Sequence, residues 1–356
     1  MTWPPSLQLI GSKALGGAER WFQRFSLALA DRNAHARLGL RHDGALTKLN
    51  LGGLPVHLLP FRTTWDPLSW WAVDRLIQRT HPAIVQTYMG RATRLTWTRG
   101  RAAHVARLGG YYQLSPYRHA DAWIGNTRGL CDWMIDQGLP AGRVFHIYNF
   151  IEPARPRTAD AVAALRSSLG IGESAWVLLA LGRLVPVKGH RFLLDALARL
   201  PTEIDGRPWR MLLVGDGPLR RTLGRQAADL GLQARLVWTG WQPDPGPYLE
   251  LCDLVVFPSL DAETLGNVIL EAWAWQRPLV TAAFRGAREI ARHGEDAYVV
   301  PCGDARALAR AIEAMLRNAR LRSAVAARGS ERVDREFGVA PIMSQYLELY
   351  RSLARG

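Results

Sequence analysis

Lysine is nearly missing from this chain. Of 45 basic side chains in 356 residues only three, Lys13, Lys48 and Lys188, are lysines, leaving 42 arginines. Cysteine is as scarce: Cys131, Cys252 and Cys302 are odd in number and far apart, with no Cys-x-x-Cys. That spacing excludes a disulfide scaffold and a thiolate metal site, and leaves small core residues in a reducing compartment. His104, His119, His146, His190 and His293 form no His-x-x-x-His pair, so no protein-ligated metal is expected. No apolar run approaches the roughly 18 to 20 residues that a membrane span needs. The opening ten residues, MTWPPSLQLI, lack the basic flank and apolar core of a signal peptide and run straight into a strand-like segment. A cytoplasmic protein is the expectation.

What is present is a globular composition, 48% hydrophobic and 21% charged, in a chain long enough for two domains with a core each. The net charge of +14 is uneven: residues 1–150 hold 18 Lys and Arg against 8 Asp and Glu, and the remainder 27 against 23. Base composition alone would account for an arginine bias. A field of that sign nevertheless favours an anionic partner, whether phosphorylated glycolipid, anionic membrane surface or nucleic acid. The arginines are scattered and form no recognised nucleic-acid-binding motif, so no nucleic acid is expected.

Short apolar runs alternate with helical patterns. Leu7–Ile10 reads as a strand, 19–30 as a helix with a Trp21, Phe22, Phe25, Leu29 stripe, and 83–86 as a second strand. After the polar, proline-bearing stretch at Pro153, Pro156 and Arg157 the same grammar restarts, with strands at 176–181, 211–214, 254–257 and 279–281. The pattern predicts an α/β fold of two Rossmann-like domains, 1–157 and 158–337, and a last helix within 338–356 that either completes the second domain or crosses back to the first.

Every glycine-rich or charged cluster of the second half follows a strand, where an open parallel sheet binds its ligands. Gly182-Arg183 with Lys188-Gly189 follows the first strand, Gly215-Asp216-Gly217 the next, Gly240 another, and Ser259 to Asn267 the strand at 254–257. Arg183 and Lys188 offer a forked donor and a point charge suited to a diphosphate, and the Gly266-Asn267 amides open a helix whose N-terminus attracts anions. Two glutamates, Glu263 and Glu271, stand eight residues apart, the second flanked by Val268, Ile269, Leu270, Ala272 and Trp273. That apolar setting predicts a buried carboxylate, which is costly unless partnered. In the first half Gly16-Gly17-Ala18-Glu19 joins the first strand to the first helix. It is not a Gly-x-Gly-x-x-Gly fingerprint, and no acidic residue ends a second strand where a dehydrogenase would hold ribose.

Taken together, these motifs resemble the family-4 retaining glycosyltransferases of the GT-B fold, in order and spacing, over nearly the whole chain: Gly16-Gly17-Ala18-Glu19, Gly182-Arg183-Leu184 with Lys188-Gly189, Val214 to Pro218, Glu263-x7-Glu271-Ala272, Pro278-Leu279-Val280, Glu289-Ile290 and Phe337-Gly338. The resemblance implies two Rossmann-like domains facing each other across a cleft, the first for an acceptor and the second for a nucleotide-sugar. It implies that Arg183 and Lys188 hold the donor diphosphate, that Glu263 contacts the donor sugar and that Glu271 binds the ribose hydroxyls. Arg183, Lys188 and Glu263 thus carry catalysis, with Gly16, Gly17, Gly182, Gly215, Gly240, Leu265, Gly266 and Asn267 completing the donor site. No cofactor or metal is implied, the nucleotide-sugar being a substrate.

Within that family many members place a His after the first-domain strand lining the sugar site. Here His104 falls inside the strand, so it reads as an ordinary strand histidine and no acid or base is assigned. Arg107, Gly109, Tyr111 and Tyr112 are expected on the acceptor side. The pieces Glu263 to Val268 and His146 to Ile151 look most like members that build bacterial lipopolysaccharide core, implying a glycolipid or oligosaccharide acceptor at the inner leaflet. The Trp and Arg mixture in residues 61–71 suits a membrane interface, and core packing explains it equally well. Two rivals share the fold, a GT-B-like epimerase and a phosphorylase, the latter needing a Schiff-base lysine where only Lys188 is present. A non-enzymatic nucleic-acid binder is a third, and leaves the strand-end clusters unexplained.

Overall fold

The computed structural model describes residues 2–354. The chain divides into two compact units, one formed by Met1–Asn149 with Val339–Gly356 and the other by Phe150–Gly338. The division falls ahead of Pro153 and Pro156. Ile151 already belongs to the second unit, its N–H donating to the Phe337 carbonyl at 2.9 Å. Among the described residues no helix is long and apolar enough to cross a membrane.

The first unit is a sheet of seven strands, β1 (Ser6–Ile10), β2 (Ala36–Arg41), β3 (Val56–Leu59), β4 (Ile84–Tyr88), β5 (Ala103–Leu108), β6 (Ala122–Gly125) and β7 (Val144–His146), with helices α1 (Gly17–Ala30), α2 (Pro67–Thr80), α3 (Met89–Leu95) and α4 (Arg128–Asp136) between them. The strand order is β3-β2-β1-β4-β5-β6-β7, every pairing parallel. Right-handed crossovers cover such a sheet on both faces, which is why β1 and β4 are buried along their whole length. The α1 stripe of Trp21, Phe22, Phe25 and Leu29 is buried, as its spacing requires.

The terminal helix Val339–Ala354 is part of this unit. Pro341 does not delay its start, since a proline in the first turn lacks only an N–H that has no helical partner there. Tyr350 closes a buried polar ring: Gln8 Nε2 donates to Tyr350 Oη at 3.1 Å, Tyr350 to Gln86 Oε1 at 3.0 Å, Gln86 Nε2 to Tyr88 Oη, and Tyr88 to Gln8 Oε1 at 3.0 Å. Around the ring each member donates to the next and accepts from the one before, and Gln8 Nε2 donates also to Ser6 Oγ at 3.1 Å, so four buried polar groups are satisfied together.

The second unit repeats the plan. Helix α5 (Ala159–Ser168) precedes β8 (Trp176–Leu181), α6 (His190–Leu197), the short β9 (Glu203–Ile204), β10 (Arg207–Val214), α7 (Arg220–Asp229), β11 (Leu236–Gly240), α8 (Gly246–Leu251), β12 (Leu254–Phe257), α9 (Asn267–Ala274), β13 (Leu279–Ala282), α10 (Arg285–Ile290), β14 (Tyr298–Val300), α11 (Ala305–Arg317) and α12 (Ala319–Arg332). The sheet runs β11-β10-β8-β12-β13-β14, with β9 antiparallel to β10 at its side. The order reverses at β8: the chain moves outward to β10 and β11, then returns to the other side as β12. That reversal opens a crevice outside the carboxyl ends of β8 and β12.

Many arginines are packing groups. Arg207 lies 3.5 Å over the Trp176 ring, Arg220 4.0 Å over Trp238 and Arg107 4.3 Å over Trp21. A planar, weakly hydrated guanidinium stacks where an ammonium would not, so part of the arginine excess is spent inside the units and not on partners.

Candidate active site

The loops leaving the strand ends of the second sheet are locked together through their backbones. Gly182 N–H donates to the Val214 carbonyl at 3.0 Å, Leu184 to Asp216 at 3.0 Å, Gly215 to Gly240 at 2.8 Å and Leu260 to Val187 at 2.7 Å. No side chain fits at the crossings. A Cβ on Gly215 would stand 2.0 Å from the Gly182 carbonyl oxygen, and one on Gly189 2.0 Å from that of Pro258. Gly215 also sits at φ +145° and Gly182 at +141°, conformations that L side chains rarely adopt.

This lattice delivers Lys188 from the loop after β8 and Glu263 from the loop after β12. Lys188 Nζ lies 2.7 Å from Glu263 Oε2, with side chains 19% and 16% exposed, so the pair is largely out of water. Ser259 Oγ donates to the same oxygen at 3.4 Å, and Nζ sits 5.0 Å over the Phe257 ring. One cation and one carboxylate are therefore fixed side by side at the switch point. Gly266 precedes α9 at φ +75°, where an added Cβ would lie 2.5 Å from Phe284 and 2.7 Å from Phe257. The two rings, edge to face at 5.3 Å, seat the helix start.

The other expected donor residues stand in different settings. Arg183 is exposed and has no ion pair among the described residues. Leu265 is only 2% exposed, so its side chain belongs to the core. Glu271 is not buried as its neighbours predict: Val268, Ile269, Leu270, Ala272 and Trp273 are buried, while Asn267, Glu271, Ala274 and Trp275 form a half-exposed stripe. Spacing of three and four residues places Glu271 one turn beyond Asn267 on that stripe. Nothing crowds a Cβ on Gly240, whose φ of +71° alone favours glycine.

In the first unit Gly16 N–H donates to Glu19 Oε2 at 2.7 Å, so the buried Glu19 carboxylate holds the turn before α1. A Cβ on Gly17 would meet nothing within 4 Å. Arg107, expected on the acceptor side, is buried. It is 5% exposed, donates from Nε to Tyr346 Oη at 3.0 Å and from Nη2 to Asn149, and stacks on Trp21. Gly109 and Tyr112 are exposed, Tyr112 stacking on Tyr117 at 6.5 Å, and Tyr111 meets Trp133 edge to face at 5.3 Å. His104 is buried within β5, its Nε2 3.0 Å from Thr87 Oγ1, and burial pushes its pKa down to about 3. A histidine neutral at every physiological pH inside a strand is a structural residue.

Two residues escape the sequence reading. Met89 holds φ +65° at the carboxyl end of β4, strain of the kind that collects at ligand sites. Asn126, just after β6, is 4% exposed with its Oδ1 unpartnered, and its Nδ2 lies 3.8 Å from the Cβ position of Gly109. A polar residue directly after a strand was the available signal.

Two parallel-sheet units with a cation, a carboxylate and a helix start gathered at a strand-order reversal define a GT-B glycosyltransferase. The family described as glycosyl transferases group 1 matches residues 175–318. Lipopolysaccharide core biosynthesis glycosyltransferase LpsE of Rhizobium meliloti (strain 1021) is 34% identical, over 95% of this chain and 96% of that protein. LpsD of the same organism is 30% identical, over 94% and 95%. The crystal structure of HepE from Anabaena in complex with UDP and glucose superposes with a TM-score of 0.85 at 25% identity, covering 98% of this chain and 100% of that one. The chain belongs to this glycosyltransferase family and is an enzyme.

The close approach at Gly215 yields a stability test. Gly215→Ala is expected to lower unfolding stability by about 1–3 kcal/mol or more, from its backbone strain and its overlap with Gly182. Gly17→Ala, with open space, should change it by less than about 0.5 kcal/mol. Denaturant titration of both variants checks the contrast.

Proposed function

We propose that the chain transfers a sugar, with retention at the anomeric carbon and without a protein-bound metal, from a nucleotide-sugar to a lipopolysaccharide core acceptor. The observation that carries this reading is the Lys188–Glu263 pair at the reversal point of the second sheet, 2.7 Å long and largely desolvated. When the bond from sugar to diphosphate breaks, negative charge grows on the leaving phosphate. Lys188, the exposed guanidinium of Arg183 and the Gly266-Asn267 amides meet that charge already oriented, in a setting where electrostatic stabilisation is strong. Glu263 has a different part. Its Oε2 is taken by Lys188 and Ser259, which leaves Oε1 for sugar hydroxyls.

A carboxylate tied to a lysine is a poor nucleophile, so Glu263 acts in sugar positioning and not in a double displacement. Glu271, on the stripe one turn past Asn267, holds the ribose. HepE's complex with UDP and glucose supports a uridine diphosphate sugar as the first donor to test, and the likeness to LpsE and LpsD supports the core acceptor.

Three measurements test this reading. In thermal-shift and calorimetric screening of UDP-, GDP- and ADP-sugars, one class should stabilise the protein, by about 2.7 kcal/mol at a hundred times its Kd. Glu271→Ala should weaken that donor at least about tenfold without loss of fold, as removal of a charged hydrogen-bonding partner does; unchanged affinity refutes the ribose assignment. Transfer should continue in excess chelator, and activity lost and then restored by magnesium would overturn the metal-free scheme. Val56, Leu58, Leu68 and Trp71 are exposed in a stretch that also carries the exposed Arg62 and Arg75, which supports contact with an anionic bilayer. Binding to phosphatidylglycerol vesicles should then weaken steeply between low and physiological salt. Equal binding to phosphatidylcholine vesicles would count against it.

A further inference from the structure

A further concavity lies in the first unit. It has a volume of about 450 Å³ and is built by the start of α2, the end of α3 and the segment before β6, with Trp65, Trp70, Arg94, Trp97, Arg118 and His119 in its lining. Its aromatic rings are backed by cations and a histidine. Arg94 lies 3.4 Å over the Trp65 ring, Arg99 5.2 Å over Trp70, and His119 stacks on Trp97 at 4.2 Å and 17°. His119 is itself anchored, its Nε2 standing 3.0 Å from the Thr93 carbonyl and 2.9 Å from that of Thr96. Trp65 and Trp97 remain 74% and 48% exposed, so indole surface is left to solvent.

The positive charge in this pocket is also not neutralised by a carboxylate. Among the described residues neither Arg94 nor Arg118 has an ion pair, although Arg118 donates to the Gln137 carbonyl at 2.7 Å. The carboxylate in the lining, Asp66, is spent on capping α2, accepting from the Leu68 N–H at 3.2 Å and from the Ser69 hydroxyl, which holds its pKa below the usual range. Exposed indole planes take the C–H faces of a sugar ring, and guanidiniums take a phosphate or carboxylate. A pocket of this volume holds a mono- or disaccharide.

We propose that this pocket is a subsite for an anionic sugar unit, phosphorylated or carboxylated, of the acceptor glycan. The proposal rests on the reading of this chain as a transferase with a glycan acceptor, and it deepens that reading by giving the acceptor a charge and a place to dock.

Direct binding tests it without donor or turnover. Calorimetry or saturation-transfer NMR on the full chain is run with glucose 6-phosphate, glucuronate, glucose and inorganic phosphate. At least one anionic sugar should bind measurably tighter than both glucose and phosphate, and the arms tell a phosphate from a carboxylate. The double variant Arg94→Gln, Arg118→Gln should weaken that ligand about tenfold or more, as loss of charge-assisted bonds does. Trp97→Ala should weaken it too, while donor-nucleotide affinity stays at the wild-type value in every variant. Because donor binding is read separately, failure of the subsite and failure of the transferase reading are distinguishable. Equal binding of glucose and the anionic sugars, or of inorganic phosphate and the anionic sugars, overturns the proposal. So does an arginine double variant that binds as wild type does, or one that loses only its binding to phosphatidylglycerol vesicles, which would make the pocket a membrane contact.

Discussion

Lys188 and Glu263 can touch only because β8 and β12 are neighbours in the sheet while β10 and β11 come between them in the chain. Where strand order reverses, the loops leaving the two central strands diverge to opposite faces and leave a crevice that neither closes. In this unit the crevice is lined by backbone, because Gly182, Gly189 and Gly215 let neighbouring loops cross at distances that exclude any Cβ. Close crossing keeps the loops short and fixed, and fixed loops hold an ammonium and a carboxylate at hydrogen-bond distance with little water between them. Preorganised charge of this kind costs no reorganisation when a leaving group becomes negative.

The first unit uses the same strand grammar for other ends. Its last helix is tied to the central strands by the ring of Gln8, Gln86, Tyr88 and Tyr350, so the end of the chain completes the unit with which the chain began. Arg107 belongs to the same buried system through Tyr346, Asn149 and Trp21. A charged side chain pointing inward from a strand is held there because planar donors match a hydroxyl, an amide oxygen and an indole face together.

The contrast between the two halves also changes what the positive charge means. A net +14 read along the chain suggests a surface seeking anions. In the folded protein several arginines stack on tryptophans in both units, Arg94 on Trp65 among them, while Arg183 in the loop after β8 is exposed and has no ion pair among the described residues. Long-range attraction and specific recognition are separate effects of the same residue type.

Strand positions, helix stripes and the glycine turns were legible in the residues because local rules govern them: continuous apolar runs make parallel strands, a period of 3.6 makes a buried stripe, and only glycine tolerates the turns at 182 and 215. The order of motifs was enough to place the chain in its family. Burial of single side chains was not legible. Glu271 lies in an apolar sequence yet on the half-exposed edge of α9, Leu265 stands in the segment between Glu263 and Asn267 yet in the core, and Arg107, expected on the acceptor side, is buried. Each depends on which neighbour the fold brings against a given face, a long-range fact that spacing along the chain does not encode. The sequence by itself determined the repertoire of elements and donors; only the tertiary structure decided that Lys188 stands against Glu263, because that pairing arises from strands that meet by sheet order and not by sequence.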